Sequence, residues 1–171
     1  MQIRNAVPDD IPAILAIYNE VIENSTAVYC DDPVSLAERQ AWYSGRMAHG
    51  YPVLVAEQQG KVVGYASFGD FRSYPGYRFT VEHSVHLAEN CRGQGIGTAL
   101  VAALLPLASA LGKHVMVAAV DAANLGSIRF HQRLGFKEVG RLPGVGYKFG
   151  RWLDLVFMQC TLANTEPVQK V

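Results

Sequence analysis

The chain has no excess of charge of either sign: its 171 residues include 15 lysines and arginines against 15 aspartates and glutamates. Without a basic surplus there is no electrostatic footprint for a polyanion, so nucleic acid is not expected as a partner. Cysteine is scarce as well. Cys30, Cys91 and Cys160 are odd in number and far apart, with no CxxC and no Cys/His ligand spacing, which favours incidental or buried thiols over a redox pair or a metal site. His83, His86 and His114 make no ligand spacing either, and no metal is expected. No apolar run is long enough to span a bilayer, and the opening MQIRNAVPDD has no signal-peptide core. The expectation is therefore a soluble, cytoplasmic protein with no membrane partner. Internal repeats and low-complexity tracts are also missing.

Half the residues are hydrophobic, enough for one sizeable core. A single domain is expected over residues 1–162, followed by a polar tail, 163–171, that should fray. Residues 3–6 read as a strand. A helix then starts at Asp9 or Asp10, with Ile11, Ile14, Leu15, Tyr18 and Ile22 on one face. Ser35 and Glu38 form a capping-box pattern that opens a second helix running through Trp42. Residues 51–57 and 62–68 read as a hairpin across Gln58, Gln59 and Gly60, and 80–87 as a third strand. A helix over 96–111 contains Pro106, which predicts a kink or an early break. Residues 114–120 resume as a strand, 125–134 as a short helix, and 136–141 and 152–162 as two last strands. Between these two, Pro143, Gly144, Gly146 and Gly150 predict a loop. The order implies a mixed α/β fold, with a central sheet antiparallel in its N-terminal half and flanked by helices.

Residues 92–100, RGQGIGTAL, are the most informative stretch. Glycines let the backbone approach a ligand and adopt positive φ, and a helix N-terminus offers unpaired N–H groups and a positive dipole end, so the segment suits a diphosphate. Thr98 and Ala99 stand where a P-loop would need lysine and serine or threonine. Gly93, Gly95 and Gly97 are spaced by two, unlike a dinucleotide fingerprint. A plain flexible turn stays open at this point.

The RGQGIG segment and the order of elements resemble the GNAT N-acetyltransferase superfamily, whose loop of the form Arg/Gln-x-x-Gly-x-Gly/Ala matches Arg92, Gly95 and Gly97. The runs IYNEVIENSTAVY, TVEHSV, NLGSIRFHQRLGF and VGYKFGRWLDLVFMQ are similar to the phosphinothricin and methionine sulfoximine or sulfone N-acetyltransferase branch, and the likeness covers nearly the whole chain. The resemblance implies acetyl-CoA as co-substrate, a small amino-acid-like acceptor and a homodimer. It places the pyrophosphate on Arg92, Gly93, Gln94, Gly95, Ile96, Gly97 and Thr98, and the pantetheine or phosphate arm beside Asn124 and Ser127. Backbone groups of Val85, His86 and Leu87 would pair with the pantetheine amides.

Acetyl transfer to an amine needs a base for the ammonium proton, a place for the developing oxyanion and a proton for the departing thiolate. Strand alternation puts Thr80, Glu82, Ser84 and His86 on one face, which makes Glu82 the candidate base; a solvated or ion-paired carboxylate is the alternative. His131 stands where many members of the superfamily carry tyrosine. It can act as a general acid, hydrogen-bond the cofactor, or simply face solvent on its helix. Asn124 is also a good N-cap. In FGDFRSYPGYRFT, Arg72, Tyr74, Tyr77 and Arg78 are candidate acceptor-binding residues, since guanidinium forks suit carboxylate or phosphinate oxygens. Tyr29 is a further candidate, with core packing as its alternative. Trp42, Trp152 and Phe157 read as core or interface aromatics, and Lys148 and Arg151 as phosphate contacts or a solvated basic loop. Cys91 has no base placed to activate it as an acyl carrier. Acetylation of a protein terminus or lysine, and a non-catalytic acyl-CoA sensor, stand as the rival functions.

Overall fold

The computed structural model describes residues 1–162; the predicted frayed tail lies outside the described residues. A seven-stranded sheet runs through the molecule in the order β1-β2-β3-β4-β5-β7-β6. Its strands are β1 (Gln2–Asn5), β2 (Val53–Gln58), β3 (Lys61–Asp70), β4 (Thr80–Leu87), β5 (Val115–Asp121), β6 (Lys137–Lys148) and β7 (Arg151–Thr161). Every neighbouring pair is antiparallel except β4 with β5. That matches the mixed sheet with an antiparallel first half that the sequence implied.

Helices α1 (Ile11–Asn24) and α2 (Leu36–Ala48) cover one face, and α3 (Ile96–Ala110) and α4 (Leu125–Arg133) the other. Ile11, Ile14, Ile17, Val21 and Ile22 recur at helical spacing and are the buried stripe of α1. At the start of α2 the capping box forms as read: Ser35 Oγ accepts from the Glu38 amide, and the Glu38 carboxylate accepts from the Ser35 amide at 2.7 Å. The β2–β3 hairpin turns on Gln59 (φ 51°) and Gly60 (φ 74°), two successive left-handed residues that suit the twist of the strands. On the α3 side, Leu100, Leu104, Met116, Val156 and Met158 are fully buried.

Four expectations need correction. The early break at Pro106 does not occur, because α3 continues to Ala110. Most of the predicted loop after residue 141 is strand: β6 runs on to Lys148, and the hairpin closes on Phe149 (φ 51°) and Gly150 (φ 73°) alone. Pro143, Gly144 and Gly146 are absorbed by a register shift between Leu142 and Gly146, which an edge strand tolerates. Lys148 is not a solvated loop residue; it is 1% exposed. Trp152 is 71% exposed and no part of the core, while Trp42 is half-buried.

Candidate active site

The parallel pair β4–β5 holds together for only three positions, Thr80 with Val115, Val81 with Met116 and Glu82 with Val117. Beyond them β4 runs on to Leu87 and β5 to Asp121 without pairing. β4 stays paired with β3 throughout, and β5 with β7, so the sheet parts along one seam. From Glu82 onward the facing edges carry backbone groups that an amide-rich chain can satisfy.

A cavity of about 630 Å³ occupies this parting. Glu82, His83, Ser84, Val85 and His86 line one side and Ala118–Asp121 the other, with α4 contributing Asn124, Ser127 and His131. The helical pair α1–α2 and its connecting loop add Tyr18, Tyr29, Arg39, Trp42 and Arg46. Burial raises the pKa of the Glu82 carboxyl, and the Arg72 charge pulls it part of the way back. A carboxylate held above its usual range in a cavity is poised to take a proton.

The glycine segment leads into α3 as expected. Gly93 (φ 78°) and Gly95 (φ 79°) are left-handed, and a Cβ added at either would meet nothing within 4 Å. The amide of Ala99 makes a helical bond to the Gly95 carbonyl. Ile96, Gly97 and Thr98 therefore stand in the first turn, where amides lack intrahelical partners. No side chain caps Gly95. This open backbone fits a pyrophosphate. Ile96 itself is core, 1% exposed, so only its amide is offered. Leu87 packs against Gly64 and Gly97, Gln94 bonds the Asn90 carbonyl, and Arg92 is ion-paired to Glu20 of α1 at 2.9 Å. Asn124 caps α4 by accepting from the Ser127 amide at 2.9 Å, and both residues line the cavity.

His131 is not the surface-facing helix residue that the sequence allowed; it is 4% exposed. Its Nδ1 lies 2.8 Å from the Ser127 carbonyl oxygen, which can only accept, so Nδ1 carries the proton. Its Nε2 lies 3.2 Å from Nε2 of His83, which then donates. Burial lowers both pKa values, that of His83 to about 3, and keeps the pair neutral. The remaining Nδ1 of His83 is buried without a partner among the described residues. Both nitrogens of His131 are thus engaged, and Nε2 has no proton to give.

The predicted acceptor residues divide. Tyr29 lines the cavity, its ring fitted against Gly146 and its hydroxyl donating to the Asp154 carbonyl at 3.3 Å. Arg72, Tyr74, Tyr77 and Arg78 do not line it. Tyr74 is 74% exposed, Arg78 bonds the Pro75 carbonyl, and Arg72 stacks on Phe71. Cys91 is buried away from the cavity. Sequence reasoning missed Arg39, Arg46 and the role of Lys148. The signal was available in α2, where Arg39, Trp42, Tyr43 and Arg46 share a helical stripe, so two cations sit on the side that packs inward.

The parted parallel pair, the glycine-led helix and the raised carboxylate together define one site. Residues 14–136 match the model of the acetyltransferase (GNAT) family. The chain belongs to this family. It is 53% identical to an L-methionine sulfoximine/L-methionine sulfone acetyltransferase of Pseudomonas paraeruginosa over 95% of both chains. Its fold superposes on that of a phosphinothricin acetyltransferase of Sinorhizobium meliloti in complex with acetyl-CoA, with a TM-score of 0.94 and 40% identity over 99% of this chain and 94% of the other. The protein yncA of Salmonella typhimurium, solved with its cofactor acetyl-CoA, gives a TM-score of 0.93 and 48% identity over 96% of this chain and 97% of the other. As a GNAT member the chain is an N-acetyltransferase.

Proposed function

We propose that the protein acetylates the α-amine of a small amino-acid analogue by direct transfer from acetyl-CoA, with methionine sulfone, methionine sulfoximine and phosphinothricin as acceptors. The observation that carries this reading is the parting of β4 from β5 at Glu82. It leaves a half-buried carboxylate where a slot for an amide-rich arm meets a cavity large enough for an amino acid. The names of the relatives supply the acceptor class.

Acetyl-CoA, when bound, supplies the activated acetyl group. Glu82 takes the proton of the acceptor ammonium, directly or through a water, and its raised pKa strengthens it as a base. Backbone groups of Val85, His86 and Leu87 hold the pantetheine arm, and the first-turn amides of α3 with Gly93 and Gly95 hold the pyrophosphate. Asn124 and Ser127 flank the arm. His131 serves as a hydrogen-bonded wall of the cavity, since it has no free proton for the thiolate; as the N–C bond forms and the C–S bond breaks, coenzyme A leaves as the thiolate and takes its proton from water. Acetylation turns a charged amine into a neutral amide, so the physiological reading is detoxification of toxic amino-acid analogues, including herbicides of the phosphinothricin type, in the cytoplasm where acetyl-CoA is made. The protein acts as a homodimer in which the exposed segment 71–79 of one copy, through Tyr74, Tyr77 and Arg78, completes the acceptor site of the other, while Arg72 acts on Glu82 of its own chain. Exposed Tyr74 and Tyr77, and the uncovered Tyr147, Phe149 and Trp152 of the β6–β7 hairpin, support that arrangement.

Thiol release from acetyl-CoA, followed with a panel of amino acids, peptides and amines, tests the reading. Amino-acid analogues are expected to react, and Glu82→Gln should lower kcat about 100-fold or more with little change in acetyl-CoA binding. Reaction with peptides alone would identify a protein acetyltransferase. Coenzyme A binding with no thiol release from any amine would identify a sensor.

A further inference from the structure

The α1–α2 side of the cavity holds a cation that neither the fold nor the proton transfer uses. Arg39 lines the cavity, is 5% exposed, and takes part in no ion pair or side-chain hydrogen bond among the described residues. Its guanidinium carbon lies 3.7 Å from the centre of the Tyr18 ring and 4.5 Å from that of Trp42. Its Nε is sealed off without a partner. The acidic groups around the cavity are otherwise engaged. Glu38 is tied to Ser35 in the capping box, Asp121 is held by the Thr26 hydroxyl and the Ala123 amide, and Glu82 feels Arg72. Arg46, two turns along the same helix, also reaches the cavity with its Nε unpartnered, its guanidinium lying over Gly69. A buried guanidinium stacked between rings and left without an anion is a receptor waiting for acceptor oxygens.

We propose that Arg39 is the specificity anchor for the oxygen-bearing end of the acceptor side chain, the sulfone, sulfoximine or phosphinate group. The inference rests on the proposed amino-acid acetylation and adds which end of the acceptor lies where. The α-carboxylate is fixed close to the amine and therefore close to Glu82, on which Arg72 acts. Arg39 lies instead by His86: it stacks on Tyr18, whose ring meets that of His86 at 5.7 Å, and burial, aided by the Arg39 charge, lowers the His86 pKa to about 4. His86 shares a strand face with Glu82 and lies four residues further on, roughly 13 Å at strand rise. Two oxygens on a tetrahedral sulfur or phosphorus accept from the guanidinium fork, whereas a thioether offers only a weak acceptor and leaves the cation unsatisfied.

The test compares methionine sulfone with methionine as acceptors, on wild type, Arg39→Met and Arg39→Lys. Wild type is expected to favour the sulfone by about 100-fold or more in kcat/KM, as a site built to hydrogen-bond a group does against the analogue lacking it. In Arg39→Met that ratio collapses to within a few-fold of unity through a raised KM for the sulfone, with the KM for acetyl-CoA unchanged, and Arg39→Lys falls between. An unchanged ratio, both acceptors declining together, would show a structural residue and overturn the anchor while leaving the acetyltransferase reading intact. Failure of wild type to acetylate any amino acid while it binds coenzyme A would overturn that reading and the anchor with it.

Discussion

The place of Glu82 on β4, beside the glycine segment, was legible from strand alternation and sequence distance, because both are local properties of the chain. Its electrostatic setting was not, since burial and the opposing pull of Arg72 depend on residues brought together by folding. The same limit hid the state of His131, whose partner His83 is 48 residues away, and the burial of Arg39. A pH prediction follows at this scale. On the proposed mechanism Glu82 takes the ammonium proton only when ionised, so kcat/KM for the amino acid is expected to fall as pH drops through its raised pKa. Arg72 favours the ionised form, and removing that charge must raise the pKa further. In Arg72→Gln the acid limb of the profile is therefore expected to move to higher pH, by about half a unit to one unit, the size of an interaction partly screened by solvent. Should the limb stay in place or move down, Arg72 is not acting on the titrating group. Initial rates across pH 5 to 9, at saturating acetyl-CoA, decide between these outcomes.

Among the elements, those read most accurately carry their own punctuation. β4 was placed at both ends, α2 by its capping box, and α3 by the glycine before it. β6 was misread because proline and glycine argue for a loop wherever the sheet context is unknown, and only its edge position makes them tolerable in a strand. That misreading concealed Lys148, at the end of the strand. Its Nζ donates to the carbonyls of Ile22, Ser25 and Val28 at 2.6, 2.9 and 2.8 Å, tying the end of α1 and the loop carrying Tyr29 to the hairpin. The tie is reinforced where Tyr29 packs over Gly146; an added Cβ there would come within 2.3 Å of the ring. In Lys148→Met three carbonyls lose their donor, a loss of about 3 kcal/mol, or roughly 10 °C in Tm for a chain of this size. Because Tyr29 lines the cavity, the KM for the amino acid should rise several-fold with that for acetyl-CoA unchanged. Parallel rises in both KM values would show that the whole cavity, and not the Tyr29 loop alone, depends on Lys148.

For the whole molecule, the segment whose cations and aromatics suggested acceptor binding and the surface a single copy leaves uncovered point to the same arrangement. Residues 71–79 carry cations and aromatics but stand outside the cavity of their own chain, with Tyr74 and Tyr77 exposed. The β6–β7 hairpin shows Val145, Tyr147, Phe149 and Trp152 to solvent on the free edge of the sheet, each at least 50% exposed. Aromatic surface of this kind on an edge is what an isologous interface buries. Trp152 packs edge-on to Tyr147 at 5.0 Å and touches no core, so Trp152→Glu leaves the fold of one copy intact. Wild type is expected to sediment as a dimer. A buried tryptophan at the centre of an interface contributes about 2 kcal/mol or more, and two-fold symmetry counts it twice, so the variant should weaken dimerisation by about a thousandfold. If segment 71–79 of the partner completes the acceptor site, dilution of the variant raises the KM for the amino acid in step with the fraction of monomer, while acetyl-CoA binding holds steady. A wild type that is monomeric at micromolar concentration and fully active would remove the second copy from the site and leave Tyr74, Tyr77 and Arg78 without a role in binding the acceptor.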